Sequence, residues 1–129
     1  MPNTIAEYYS EELVEWSRNI DFHNEEMNEF EERLKEVIQR NSILDIAAKV
    51  EHYQDQLNSV SKKLFALHEE LYQQETKLKT DSTLVDNSLI SAEMEKQQNA
   101  LRRRMQAAEK EYIDVKYACY DFLSGTLKK

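Results

Sequence analysis

Very little in this chain can break a helix. Its 129 residues include one glycine and one proline, and these, Gly125 and Pro2, sit near the two ends. An ordinary domain of this size uses several of each for turns and strand ends. With no such breaker between residues 3 and 124, the chain is expected to form a few long helices divided only by weak helix formers. The single cysteine, Cys119, excludes an intramolecular disulfide and suits a reducing compartment. Apolar runs long enough to span a bilayer are missing too. The first twenty residues hold Glu7, Glu11, Glu12 and Glu15 where a secretory signal needs a basic start and an apolar centre. A cytoplasmic location with no membrane partner is therefore expected. Cations are clustered only at Arg102-Arg103-Arg104, and the net charge is −8, which argues against nucleic acid and anionic lipid as partners.

What the chain does have is heptad periodicity. Steps of three and four give Tyr9, Leu13, Trp16, Ile20, His23, Met27, Phe30, Leu34 and Val37 as one apolar seam. A second runs through Ile43, Ile46, Val50, Tyr53, Leu57, Val60, Leu64, Leu67, Leu71, Gln74 and Leu78, and it is the strongest of the three. A third, poorer in Leu and Ile, is Met94, Gln98, Leu101, Met105, Ala108, Tyr112, Val115, Cys119 and Phe122. Asn3 or Thr4 is placed to cap the first helix, with Glu7, Glu11 and Glu12 at the positive end of its dipole. Asn41-Ser42-Ile43-Leu44-Asp45 reads as a helix end and a new start, with Ser42 as N-cap and Asp45 in the third helical position. Thr80 to Ser88 is the only interior cluster of turn formers, so the second connection belongs there, with Asp86, Asn87 or Ser88 capping the third helix. Gly125 reads as a left-handed residue just past the last helix.

These signals predict one domain, 1–129, folded as an all-α, elongated, antiparallel three-helix bundle of left-handed coiled-coil type. Its helices cover about residues 4–40, 43–80 and 88–124, each roughly 55 Å long at 1.5 Å per residue. In helix count, and in keeping a tryptophan (Trp16) on the first helix, the architecture resembles the spectrin-type three-helix repeat. Charge is divided unevenly, −7 over residues 1–41, −2 over 42–82 and +1 over 83–129, which favours packing the first helix against the third.

His23 is the only member of the first seam that ionises near neutral pH. Folding the chain back at the two connections sets it level with Val60, Leu64, Met105 and Ala108, with no carboxylate along the seams, so a neutral core histidine is expected. Glu26, three residues on, and His68 are the remaining candidates for a metal or small-ligand site. No Glu-x-x-His pair of the kind that holds di-iron centres in helical bundles occurs, and no metal or cofactor is expected. Nor is catalysis: Cys119 lies on an apolar seam, where a thiol behaves as a small hydrophobe, and no glycine loop exists to cradle phosphate. Arg102-Arg103-Arg104 stands level with His68, Glu69, Glu70 and Glu15, so intramolecular pairing is expected. Phe22, Phe65 and Tyr72 stand off the seams with His68 beside them, and could either widen the core or form an interaction surface. The reading that results is a non-enzymatic cytoplasmic interaction or scaffold protein, including a chaperone-like binder of a partner helix. Its partner is another protein or a second copy in a homodimer; the alternative is a metal- or small-ligand-binding bundle.

Overall fold

The computed structural model describes residues 2–40 and 44–127, and three long helices carry almost all of them. Helix α1 spans Ile5–Arg40, α2 Leu44–Lys77 and α3 Ala92–Leu127. Each presents one apolar stripe, and the stripes meet along a single core from Tyr9 to Val37, Val50 to Leu78 and Leu101 to Leu123. The stretch from Leu57 through Val60, Leu64 and Leu67 to Leu71 is sealed from solvent. Each such side chain contributes about 1.5–3 kcal/mol by leaving water. No helix among the described residues is long and apolar enough to cross a membrane.

Side-chain contacts fix the directions. Ser10 reaches Glu75 and Ser17 reaches His68, so α1 and α2 are antiparallel. Lys63 reaches Glu111 and Arg104 reaches Glu70, so α2 and α3 are antiparallel as well. Helices α1 and α3 therefore run parallel, and Glu12–Arg102 and Glu26–Lys116 record their alignment. The expected three-helix bundle is the fold observed.

Nearly all of the expected seams are buried. Trp16, Ile46, Tyr53, Met94 and Phe122 stay partly open at the rim, and Leu123 rather than Phe122 closes the last layer. Thr4 is the N-cap of α1, its Oγ1 accepting from the Glu7 N–H at 3.1 Å while Glu7 reaches back to the Asn3 N–H at 2.8 Å. The expected start at Ser42 lies in 41–43, outside the described residues.

The second connection differs from expectation. Helix α2 ends at Lys77, and Lys79–Thr80 (β1) pairs antiparallel with Thr83–Leu84 (β2) in a minimal hairpin. Its two turn residues, Asp81 and Ser82, take φ of 52° and 67°, as a two-residue hairpin turn of the primed type requires. A 3-10 turn at Asn87–Leu89 follows. Ser91, not Asp86, Asn87 or Ser88, caps α3, its Oγ accepting from the Met94 N–H at 3.1 Å. Asn87 instead caps the first helix: its Oδ1 accepts from the Ile5 N–H at 2.8 Å. The far end also differs, since α3 continues through Gly125 to Leu127 and Gly125 takes no left-handed conformation.

Candidate functional site

The α1–α3 seam contains the polar cluster built around His23. The expectation that His23 lacks a carboxylate is overturned: Glu109, one residue past the seam position Ala108, meets its Nε2 at 2.9 Å. Because a carboxylate only accepts, Nε2 carries the hydrogen. Nδ1 is buried without a hydrogen-bond partner and lies 3.9 Å from Glu26 Oε1. The imidazole packs on the Tyr112 ring at a centroid distance of 4.5 Å, and its side chain is 13% exposed.

Glu26 is the hub of this cluster. It accepts from the Tyr112 hydroxyl at 2.7 Å and from the Lys116 ammonium at 2.8 Å. Burial alone raises its carboxyl, but the Lys116 and Tyr112 hydrogen bonds with the attraction of Lys116 outweigh burial and hold it below the usual carboxylate range. Burial, then the Glu26 hydrogen bond, push the Tyr112 phenol well above its ordinary value. The Glu26 hydrogen bond also raises Lys116. The result is a charged tie between two parallel helices that no short connection aligns.

A second polar layer crosses the core near the hairpin end. Gln98 donates to the Tyr9 carbonyl and to Glu12, both at 3.2 Å, and accepts from Gln74 at 3.2 Å. Gln74 also donates to the Met94 carbonyl at 3.0 Å. Glu12 takes the Arg102 guanidinium with an Nε contact of 2.9 Å. Of the basic run, Arg102 pairs with Glu12 rather than Glu15, and Arg104 pairs with Glu70 as the heights implied.

His68 does not join His23. It meets Ser17 at 3.0 Å and Asp21 at 3.7 Å on the α2-facing flank of α1, whereas His23 faces α3. His23 and Glu26 share a cluster, His68 lies outside it, and among the described residues no group of three His, Cys, Asp or Glu is placed to hold a metal. Cys119 is sealed in the core, and burial above all, with Glu31 nearby, raises its thiol to about 11.

The off-seam aromatics divide between two faces. Phe65 and Tyr72 are 68% and 72% exposed and lie on α2 with His68 between them. Tyr72, His68, Leu13, Val14, Ser17 and Leu71 line a shallow cavity of about 150 Å³ between α1 and α2. Phe22 belongs elsewhere. One residue past Asp21, it is turned by about 100° around α1, and its ring edges His23 at 6.2 Å, which places it on the α3 side. Unforeseen in the sequence is a matching stripe on α3, Ile113, Tyr117 and Tyr120, also exposed. Its i, i+4, i+7 spacing off the seam was the available signal. No protein-family model, curated protein or solved structure matches this chain.

Proposed function

We propose that this protein is a non-enzymatic, cytoplasmic helix-binding scaffold whose α1–α2 face receives a basic amphipathic helix of another protein. One observation carries the reading: two large aromatic rings, Phe65 and Tyr72, stand exposed seven residues apart on α2, and Tyr72 lines an apolar cavity together with Leu13 and Leu71. Leaving both rings in water forfeits burial energy that a partner helix would recover, and the cavity has room for one aliphatic side chain. Aromatic anchors around a small pocket are the usual energetic centre of such a contact.

The rim supports a basic partner. Asp21 borders the His68 side, and further along the same groove Glu31 and Glu32 stand against Lys35 alone. In the cavity itself Glu75 is already held by Ser10 and Lys79. Lysine or arginine on the incoming helix answers Asp21, Glu31 and Glu32, whereas a second copy of this chain would bring the same acids to the contact. The metal- or ligand-binding alternative has lost its third residue, His68, to the opposite flank of α1.

The test is an NMR titration of the labelled protein with a synthetic helix bearing leucine on one face and lysine on the other. Amide shifts confined to the surroundings of Val14, Ser17, Phe65, His68 and Tyr72 are expected. Absence of saturable shifts, or shifts centred on the outer face of α3, overturns the reading.

A further inference from the structure

The other apolar face of the molecule has a different rim. Between α1 and α3 lies a groove of about 420 Å³ lined by Phe30, Leu123, Tyr120, Ser124, Glu29 and Arg33. The Tyr120 ring stands edge-on to Phe30 at 4.9 Å and forms one wall. One turn before Tyr120 on the same stripe, Tyr117 is 61% exposed, and Ile113 and Phe22 extend the apolar surface along the face.

Glu26 is ion-paired with Lys116, and Glu109 accepts a hydrogen bond from His23. That leaves Glu29 and Arg33 at the groove, one acid and one base, and among the described residues neither has an ion-pair partner in its own chain. They sit one turn apart on α1 and so project from the same side of the helix. An isologous two-fold contact brings residue i of one copy to residue j of the other and j to i at once. Glu29 and Arg33 meet that condition: the guanidinium of one copy faces the carboxylate of the other twice over. The acidic α1–α2 face cannot do this, because its unmatched charges share one sign.

We infer that the α1–α3 face is a homodimer interface, in which two copies of this chain pair about a two-fold axis with Glu29 and Arg33 reciprocally bridged and Tyr117 of each copy against the groove of the other. The occupant is a second copy rather than a foreign helix because the groove supplies both halves of the ion pair together with its own exposed ring. This surface is separate from the one assigned to a partner helix, so a dimer would present two partner sites facing outward.

Sedimentation equilibrium over a range of concentrations tests it. The wild type is expected to be a reversible dimer. Tyr117→Glu, at an exposed position where the monomer fold should survive, should raise the dissociation constant at least about tenfold. Arg33→Glu should weaken the dimer, and the double exchange Glu29→Arg with Arg33→Glu should restore it. Phe65→Glu should leave it intact, and circular dichroism of each variant checks that the helices are retained. A wild type that stays monomeric overturns the inference. So does a dimer that survives Tyr117→Glu, that Phe65→Glu dissolves, or that the charge exchange fails to restore.

Discussion

The two flanks of α1 are held to their neighbours by different physics. Toward α2, with which the short 41–43 segment connects it, α1 offers leucine packing and only light polar contacts, Ser10 to Glu75 and Ser17 to His68. Toward α3, which runs parallel and is separated from it by the whole of α2, it offers Glu12 to Arg102, Glu26 to Lys116 and His23 to Glu109. A connection sets the relative height of antiparallel neighbours. Parallel neighbours joined only through a third helix depend on side-chain partners to set theirs. On the α3 flank Glu12 and Glu26 of α1 are ion-paired with basic side chains, whereas on the α2 flank Asp21 meets only a histidine, and the exposed rings of Phe65 and Tyr72 lie on the helix packed against that flank.

The largest expected effect comes from cutting the buried layer on the α3 side. Gln98→Ala leaves a cavity and takes one partner from each of Gln74, the Tyr9 carbonyl and Glu12, and should destabilise the protein by about 2–4 kcal/mol in urea denaturation. Changing Gln74 and Gln98 together to leucine removes both partners at once and should come closer to neutral. If Gln98→Ala costs no more than an exposed substitution, the layer does not link the three helices.

Glu26→Gln should come next, at about 1–2 kcal/mol at pH 7, between the values for exposed and buried ion pairs. Because the folded carboxyl lies below its ordinary value of 4.5, its contribution is present above that value and is lost as pH falls through the lower folded one. The gap between wild type and variant should therefore close in acid. Asp21→Asn, at an exposed position on the α2 flank facing a half-buried His68, should change stability by less than about 0.5 kcal/mol. Comparable losses from the two substitutions would erase the distinction between flanks.

A small gain in stability, rather than a loss, is expected from Gly125→Ala. A Cβ there meets nothing within 4 Å, and alanine in a helix is favoured over glycine by about 0.5–1 kcal/mol. The gain should fall at the low end, since the position is near the end of α3. Destabilisation instead would mean that Gly125 terminates the helix.

Glycine near a terminus reads as a stop signal, yet nothing crowds Gly125 and the helix simply passes through it. The seams themselves were plain, because each core layer repeats every three or four residues and one apolar choice fixes the face of its whole helix. Residues one step off a seam were not. Glu109 stands level with His23 but one position past the seam residue Ala108, where the heptad pattern gives no sign of a partner. Gln74 and Gln98 were counted as seam members, although two glutamines at matching heights in a core already implied that each answers the other. The hairpin escaped because its turn is Asp81-Ser82 rather than the usual glycine pair, and only tertiary context shows Asn87 capping a helix 82 residues away. Phe22 stands off the seam as Phe65 and Tyr72 do, but standing off a seam does not tell which flank of a helix a residue occupies.

The central claim is that the acids and the exposed rings of the α1–α2 face act together on a basic helix. Its most direct test is the affinity of the leucine–lysine peptide, measured by calorimetry at two salt concentrations for wild type, the Phe65→Ala/Tyr72→Ala double variant and Tyr117→Ala. Binding should weaken with salt in the wild type, fall at least about tenfold in the double variant and remain unchanged in Tyr117→Ala. Binding that is indifferent to salt, or is lost through Tyr117 while Phe65 and Tyr72 are dispensable, would contradict the account.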